Sequence, residues 1–311
     1  MLLLRILLII IIALLLICLI VGYGTMRYVI YPKRRTYEEV EQIEKSKNNW
    51  GDYDNYEKEE WNIKSFDGYL LHGTLIKNNS NKYVIVTHGY TYNMLGSIKY
   101  ANIYYKLGYN VYIYDLRHFG KNQKCFCSMG QYESRDIIAV QEAMFQRFGD
   151  DITIGLHGES LGCASSMLAL GLSQRFEFFV ADCGFVNLKK LLSDLSWKVL
   201  HLPSFMVFFT DFWMVLLHHY RFSEICPIDV LEKNKVPILF FHGADDDFII
   251  PSHTKQAFEA CKAYKQMYII EGAKHAQSYE KDPVGYEEKL RSFLAHLNNI
   301  RKNDIVANLK K

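Results

Sequence analysis

Net charge is nearly absent from this sequence, and so are the common motifs of nucleotide and metal chemistry. The 311 residues carry 36 Lys and Arg against 34 Asp and Glu, a formal charge of +2. No long basic stripe occurs, so nucleic acid is not an expected partner. No Walker P-loop is present, because Gly120-Lys121 is followed by Asn122. A G-x-G-x-x-G after a strand and an H-E-x-x-H are also missing. We therefore expect no nucleotide cofactor and no metal.

Paired cysteines are lacking as well. The seven cysteines are odd in number, and several fall in apolar segments. This usage argues against a disulfide framework and favours a reducing compartment. Cys125 and Cys127 could supply two metal ligands, but no second pair of ligands completes a site. His218-His219 is a weak candidate too, because adjacent residues on a helix point in different directions.

An uncharged apolar run dominates the N-terminus. After Arg5, no charged residue occurs from Ile6 to Met26, which is long enough to cross a hydrocarbon core of about 30 Å. A cleaved signal peptide is the alternative, but no convincing small-x-small cleavage site precedes Thr25. We expect an uncleaved single-pass anchor that contacts the membrane through residues 6–26.

The charges that flank this run bear on its orientation. Arg27, Lys33, Arg34 and Arg35 follow it, whereas Arg5 alone precedes it. The positive-inside rule favours a cytoplasmic body. A signal anchor of the Sec type would instead place the body outside.

Composition divides the chain into an anchor over 1–26, a linker, one domain and a tail. Residues 27–59 are charged and poorly periodic, with room for one short amphipathic helix near 37–47. Across 60–298, strand-like and helix-like runs alternate after a hairpin signature at Asp67-Gly68. This order is typical of a mostly parallel sheet covered by helices on both faces. Residues 299–311 are interpreted as a polar, frayed tail. Because the recognisable motifs all follow the linker, a chain that begins near residue 36 is expected to be soluble and active.

One block, about residues 184–226, interrupts the alternation. It has no clean strand and is rich in Phe, Trp and Leu. A second membrane span over 205–217 is disfavoured because the run is short and contains Asp211. We interpret the block as a helical cap over the strand ends, where open α/β sheets bind ligands. Part of its apolar set is expected to line the Ser160 pocket, with Phe208 and Phe212 as the positions that test this, and the alternatives are packing onto the sheet or contact with the bilayer surface. The set is Trp197, Leu200, Leu202, Phe205, Met206, Phe208, Phe209, Phe212, Trp213 and Leu216.

The stretch ITIGLHGESLG, residues 152–162, combines an apolar strand with a turn into a helix. Gly158 and Gly162 flank Ser160 at two positions on either side, which matches G-x-S-x-G, the nucleophile elbow. Side chains at those positions would clash in so tight a turn, and glycine removes them. Ser160 is then pushed above the sheet at a helix N-terminus that favours negative charge. An inert serine in a Gly-rich turn is the alternative.

Several motifs together resemble the α/β-hydrolase fold. More closely, the chain is similar to bacterial membrane-anchored or secreted hydrolases of the serine aminopeptidase-like or prolyl-oligopeptidase-like kind. The resemblance covers roughly residues 60–298 and implies an eight-stranded, mostly parallel sheet flanked by helices, with a cap. It is carried by THGYTYN, YDLRHFGKN, GQYESRDI, HGESLG, VADCGF, HGADDDFIIP and GAKHAQSYEKDP. FGKNQ departs from the family, which usually places Ser after Gly-x, but only in a structural loop.

A serine nucleophile needs a base, and the base needs an orienting acid. In this fold the chain order is Ser, acid, His. Asp245, Asp246 and Asp247 all follow a late strand, and the resemblance aligns Asp246 with the acid. His275 lies in the loop after the final strand, where the base is expected.

Two backbone amides complete the expected site. Gly89 lets the chain bend after His88, so that the Tyr90 amide joins the Leu161 amide as an oxyanion hole. His88, His157 and His242 each precede a glycine at a strand end. We interpret these three as buried residues that brace loops rather than as metal ligands.

Three functions fit these residues. The first is hydrolysis of an ester or thioester of a small-molecule or lipid-like apolar acyl group, without a cofactor. The second is a serine peptidase of the aminopeptidase kind, which would need a carboxylate for the substrate amine; Glu159 and Glu224 cannot be assigned that role from sequence. The third is a non-catalytic, membrane-tethered binding module.

Overall fold

Apolar runs rich in Val, Ile, Phe and Tyr form strands, and amphipathic runs between them form helices. The computed structural model describes residues 1–309. Its helices are α1 (Leu2–Ile30), α2 (Tyr37–Ser46), α3 (Ile98–Lys106), α4 (Glu133–Phe148), α5 (Leu161–Leu170), α6 (Leu188–Leu200), α7 (Met206–His218), α8 (Ile228–Leu231), α9 (Ser252–Ala260), α10 (Ser278–Lys281) and α11 (Pro283–Leu309). Its strands are β1 (Lys58–Glu60), β2 (Ile63–Lys64), β3 (Leu70–Leu71), β4 (Gly73–Ile76), β5 (Lys82–Thr87), β6 (Asn110–Tyr114), β7 (Thr153–Glu159), β8 (Phe179–Asp182), β9 (Ile238–Gly243) and β10 (Lys265–Ile270).

Eight strands form one sheet in the order β1-β4-β6-β5-β7-β8-β9-β10. β4 pairs antiparallel with β1 and β6, and all the other neighbours pair in parallel. β6, β8 and β9 are buried at every residue because helices cover both faces. The expected mostly parallel eight-stranded sheet is confirmed.

The parallel strands place their carboxyl ends at one edge of the sheet. The loops and turns that follow β5, β7, β9 and β10 carry His88, Ser160, Asp246 and His275 respectively. Open α/β sheets bind their ligands at this edge. Residues more than a hundred positions apart in sequence are thereby brought together.

The predicted hairpin at Asp67-Gly68 is confirmed by a small separate ladder. Ile63 pairs antiparallel with Leu71, and Gly68 has a φ of +82°. That positive φ is the backbone region in which glycine carries no steric penalty.

The segment 27–59 differs from the charged linker that the composition predicts. α1 continues to Ile30, past the expected boundary at residue 26, because Met26, Val29 and Ile30 are spaced to bury one face in the hydrophobic core. α2 begins with a capping box formed by Thr36 and Glu39.

The end of the same segment contains a strand. β1 consists of Lys58, Glu59 and Glu60, which have no apolar pattern to reveal them, and it pairs with β4 at the edge of the sheet. An edge strand needs only backbone partners on one side, so charged side chains are compatible with it.

The C-terminus also departs from expectation. α11 continues through residues 299–309, which the sequence assigns to a frayed polar tail. No glycine or proline occurs in that stretch, so nothing in it stops the helix. Residues 310 and 311 lie outside the described part.

The block between β8 and β9 is helical, as expected for a cap. α6 and α7 are its main helices, and α7 packs closely along α1. Asp211 faces the interior of the cap, where its Oδ1 accepts a hydrogen bond of 2.7 Å from the Phe222 amide. The cap therefore touches both the sheet domain and the N-terminal helix.

Candidate active site

Ser160 lies at the sharp turn between β7 and α5. Its φ of +55° and ψ of −114° are a strained conformation for a residue with a side chain. A Cβ added to Gly158 would lie 2.6 Å from the Gly162 carbonyl oxygen, and one added to Gly162 would lie 2.6 Å from the His88 carbonyl oxygen. The two glycines therefore make room for the turn, and Ser160 projects from it at the N-terminus of α5.

Ser160 is joined to two side chains from later loops by a chain of two hydrogen bonds. The Ser160 Oγ lies 2.9 Å from Nε2 of His275. Nδ1 of His275 lies 2.7 Å from Oδ2 of Asp246. A neutral imidazole that donates from Nδ1 to the carboxylate leaves Nε2 free to accept the serine proton.

The Asp246 carboxylate is held by its own loop. Its Oδ1 accepts hydrogen bonds of 2.9 Å from the amides of Phe248 and Ile249. Burial alone would raise the pKa of Asp246, but hydrogen bonds from His242 and His275 hold that pKa well below its usual range. Asp246 therefore stays ionised and fixes the orientation of His275.

The two neighbouring aspartates are placed differently. Asp245 and Asp247 are exposed, whereas Asp246 is buried. Asp247 forms an ion pair of 3.2 Å with Lys198 of the cap. Of the three candidates for the acid, only Asp246 contacts His275 among the described residues.

Two backbone amides lie beside Ser160. A Cβ on Gly89 would lie 3.4 Å from the Ser160 Cβ, which places the Gly89-Tyr90 backbone next to Ser160. Within residues 1–309, the Tyr90 and Leu161 amides donate to no protein acceptor. Leu161 is the first residue of α5, where an unpaired N–H is expected. This arrangement can hold an oxyanion.

The three strand-end histidines are all buried and hydrogen-bonded within the domain. The His88 Nε2 accepts from the Leu116 amide at 2.9 Å. Nδ1 of His157 lies 3.1 Å from the Tyr104 hydroxyl, and Nδ1 of His242 lies 2.7 Å from the Thr254 hydroxyl. Burial lowers the pKa of His88 and of His157. They brace the loops around the site.

One three-residue group near the site has metal-binding atom types. Cys183, Asp246 and His275 each place one such atom within 4.8 Å of the others. Burial raises the pKa of the Cys183 thiol well above its usual value, and the nearby Asp182 adds to that rise. A thiol binds metal as the thiolate, so this group is poorly suited to a metal.

An apolar cavity of about 300 Å³ adjoins Ser160. The cap contributes a large part of its wall from α6, α7 and the turn between them, and the strand-end loops contribute another part. Leu200, Leu202 and Met206 of the apolar cap set line it as expected, whereas Phe208 and Phe212 lie on the exposed face of α7. The reason is helical spacing, because residues 206, 207 and 210 of α7 occupy the inner face. The lining includes Tyr90, Met129, Phe185, Leu191, Leu195, Val199, Leu202, Met206, Val207 and Phe248.

Sequence reasoning missed one wall of this cavity. Thr25, Tyr28 and Val29 of α1 also line it. Their spacing of three and four residues indicates one helix face, but nothing in a membrane-anchor composition distinguishes a face that meets protein from one that meets lipid.

A second, polar cavity of about 320 Å³ shares Ser160, Tyr90 and Phe248 with the first. Ionisable residues from distant parts of the chain line it, and sequence reasoning missed most of them because they lie on separate elements. They are Glu44, Lys47, Lys99, Glu159 and His275.

A buried ion pair forms part of this second wall. Nζ of Lys99 lies 2.6 Å from Oε2 of Glu159, and both side chains are almost fully buried. Burial alone would raise the pKa of Glu159, but the Lys99 ammonium holds it below its usual value. The Tyr100 hydroxyl also donates to Glu159 at 2.7 Å. Glu159 is thus already paired, and Glu224 caps a short turn away from both cavities.

The fold and site define a class of protein. An eight-stranded sheet of this order, with a serine on the strand-to-helix turn, is an α/β-hydrolase fold of the serine-hydrolase type. The chain belongs to the prolyl oligopeptidase family, which it matches over residues 99–301.

Two relatives are similar to this chain in sequence. The Bacillus subtilis protein YqkD is 31% identical, with coverage of 90% of this chain and 93% of that protein. Mouse alpha/beta hydrolase domain-containing protein 17C is 27% identical over 63% of this chain, which spans about half of that protein.

Among solved structures, the Pyrococcus furiosus esterase Pf2001 superposes with a TM-score of 0.66 at 22% identity, covering 86% of this chain and 97% of the esterase. A Pyrococcus horikoshii acylaminoacyl peptidase superposes with a TM-score of 0.58 at 17% identity, covering 78% of this chain and 41% of the peptidase. These likenesses place the fold, and they include both an esterase and a peptidase.

Proposed function

We propose that this hydrolase cleaves esters or thioesters of apolar acyl groups, with Ser160 as nucleophile, His275 as base and Asp246 as the orienting acid. The observation that carries the proposal is the Ser160 Oγ, 2.9 Å from Nε2 of His275 and at the wall of an apolar cavity. Ligand sites of this kind combine an apolar lining with a few placed polar groups.

The reaction proceeds in two halves. Ser160 Oγ attacks the substrate carbonyl carbon while His275 Nε2 takes the serine proton, and the amides of Tyr90 and Leu161 hold the oxyanion. The tetrahedral intermediate expels the alcohol or thiol, which leaves with the proton from His275. Water then attacks the acyl-enzyme with His275 as base, and the carboxylic acid departs as Ser160 regains its proton.

A serine peptidase is the second candidate, and the family name and the acylaminoacyl peptidase neighbour favour it. An aminopeptidase would need a free carboxylate to bind the substrate ammonium. Glu159 is paired with Lys99 instead, which supports the esterase.

A substrate panel tests the choice. Purified protein is given p-nitrophenyl acyl esters and aminoacyl p-nitroanilides of matched side-chain size. Turnover of the esters with little turnover of the anilides supports the proposal, and the opposite preference would make the protein a peptidase. Failure of a fluorophosphonate to label the protein would leave a non-catalytic binding module.

We further propose that α1 is an uncleaved anchor that crosses the membrane through residues 6–26, with the catalytic domain in the cytoplasm. α1 is long and apolar enough to span a bilayer. Cleavage near Thr25 would cut the chain just before Met26, Val29 and Ile30, which are buried in the core. Intact mass of the membrane-extracted protein tests retention of α1, and protease accessibility in sealed vesicles tests the side.

A further inference from the structure

α1 is at once the membrane-spanning candidate and part of the substrate cavity. Thr25, Tyr28 and Val29 line the apolar cavity together with Met206 and Val207 of α7. A cavity wall built by such a helix places the acyl site at the membrane. The position of α7 relative to α1 shows how deep that site lies.

α7 runs beside the second half of α1. Gly22 of α1 meets Phe209 so closely that a Cβ on Gly22 would lie 2.6 Å from the Phe209 Cβ. The rings of Tyr23 and Trp213 pack edge to face with centroids 5.3 Å apart. Both contacts place the middle of α7 beside Gly22 and Tyr23 of α1.

Both helices end at the same loop. The Cys127 amide donates a hydrogen bond of 2.8 Å to the Ile30 carbonyl at the end of α1. The Phe126 ring lies 4.3 Å from the ring of His218 at the end of α7. The two helices therefore run in the same direction, and the start of α7 points back along α1 toward its apolar half.

The contact between the helices reaches into the uncharged run. Nε1 of Trp213 donates to the Leu19 carbonyl at 2.8 Å. Leu19 precedes Arg27, the first charge after the run, by eight residues, or about 12 Å of helix. When α1 crosses a bilayer, this part of the cap is held at the depth of the hydrocarbon.

The outer face of α7 is suited to that position. Phe205, Phe208, Phe212, Val215 and Leu216 are all exposed, and their spacing forms one helical stripe. Phe208 is 66% exposed and Phe212 45%. A soluble surface rarely carries such a continuous apolar patch, whereas a helix that lies in the membrane interface buries one. Continuity with α1 favours the bilayer as the partner of this stripe.

Two residues of the cavity lining are exposed at the surface. Among its lining residues, Tyr28 of α1 and Val199 of α6 are both exposed, at 59% and 43%. An acyl chain that enters between α1 and α6 passes from lipid to an apolar wall without crossing water.

We propose that the substrate is a long-chain acyl amphiphile resident in the membrane, whose chain enters the apolar cavity laterally between α1 and the cap. Its polar leaving group then occupies the second cavity beside Lys99 and Glu159. This inference rests on the ester hydrolase activity proposed above.

The first test compares two esters in phosphatidylcholine vesicles that contain the full-length protein. 4-Methylumbelliferyl butyrate reaches the enzyme from water, and the palmitate ester is dissolved in the bilayer. The double variant Phe208→Ser/Phe212→Ser weakens the contact between the apolar face of α7 and the bilayer. Its palmitate turnover should therefore fall about tenfold or more, while its butyrate turnover stays within about twofold of wild type. Val284→Ser is the matched control, because Val284 is also highly exposed but lies on α11, and it should change neither rate.

The second test fills the cavity from α1. Thr25→Phe places a ring in the apolar cavity and should shorten the preferred acyl chain, at about three- to fourfold in kcat/KM for each CH₂ excluded. Gly24→Phe is the control at the preceding residue, since a side chain there meets nothing within 4 Å.

The outcomes separate this inference from the proposed activity. Unchanged palmitate turnover in the double variant, together with an unchanged chain-length profile in Thr25→Phe, would overturn lateral entry while ester hydrolysis stands. Absence of hydrolysis of both esters and of fluorophosphonate labelling in the wild type would overturn the activity itself, and the inference with it.

Discussion

Gly22 of α1 and Phe209 of α7 approach so closely that no side chain fits between them, since a Cβ on Gly22 would lie 2.6 Å from the Phe209 Cβ and 2.8 Å from its carbonyl carbon. Small residues permit this approach where two helices pack in an apolar environment. The neighbouring Gly24 faces open space. The close contact between α1 and the cap therefore needs glycine at position 22 but not at position 24.

Gly22→Leu should separate α1 from α7 and disturb the apolar cavity. Overpacking of this kind costs roughly 1–3 kcal/mol, and we expect a lower apparent Tm in detergent and slower hydrolysis of long-chain esters. Gly24→Leu is the control and should leave both close to wild type. Equal behaviour of the two variants would mean that the α1–α7 contact does not support the fold.

A chain that begins at residue 36 should be poorly behaved. It lacks Met26, Val29 and Ile30 from the core and uncovers Phe209 and Trp213 of α7. We expect aggregation in size-exclusion chromatography or a lowered Tm in thermal melting. Composition alone instead predicts that this shortened chain is soluble and active. A chain that begins at residue 18 keeps the contacts of α1 and should melt at a higher temperature. A monodisperse, fully active chain from residue 36 would show that α1 is only a tether.

Ser160→Ala should abolish labelling by a fluorophosphonate without unfolding the protein, because it removes only the hydroxyl that faces His275. Labelling is read by gel fluorescence and folding by thermal melting. Ser165→Ala is the control on the same helix, since its hydroxyl bonds the Leu161 carbonyl within α5. Persistent labelling of Ser160→Ala would locate the nucleophile elsewhere.

Asp246→Asn should lower kcat by about 10⁴-fold, because an amide no longer holds the correct tautomer of His275. Asp245→Asn and Asp247→Asn are exposed controls and should retain most of the activity. The measurement is steady-state hydrolysis of p-nitrophenyl butyrate. Greater sensitivity at residue 247 than at 246 would place the acid one position later.

Lys99→Met should destabilise the folded protein, because it leaves the Glu159 carboxylate buried without its partner. Breaking a buried ion pair costs about 3–5 kcal/mol, so the apparent Tm should fall by roughly 10 °C. Lys190→Met is the control, since its ion pair with Asp194 is exposed, and it should shift Tm very little. An unchanged Tm for Lys99→Met would contradict a structural role for the pair.

The same pair predicts a dependence of stability on pH. Lys99 lowers the folded-state pKa of Glu159 below its unfolded value, so the stabilisation is present above the unfolded pKa of about 4.3 and is lost as pH falls through the folded pKa. Wild type should therefore lose Tm on acidification below about pH 4.5 more steeply than Lys99→Met. Parallel pH profiles for the two proteins would argue against this coupling.

The alternation of strands and helices, the elbow around Ser160 and the apolar N-terminal run were all predictable, because each depends on a local pattern. Gly158 and Gly162 mark a turn that only small residues permit, and Asp67-Gly68 marks a hairpin for a similar reason. β1 was not predictable, because its charged residues Lys58 to Glu60 are held by backbone pairing alone.

The sequence by itself predicted which residue types meet in this site. Chain order and strand position indicate Ser160, an aspartate within 245–247 and His275, and the resemblance to the α/β-hydrolase fold selects Asp246. Tertiary structure alone decided what surrounds them. Thr25 and Val29 line the cavity, Phe208 and Phe212 face outward, and Lys99 pairs with Glu159. The physical reason is that an apolar side chain gains free energy against protein and against lipid alike, so composition cannot tell which one it contacts until the helices are packed.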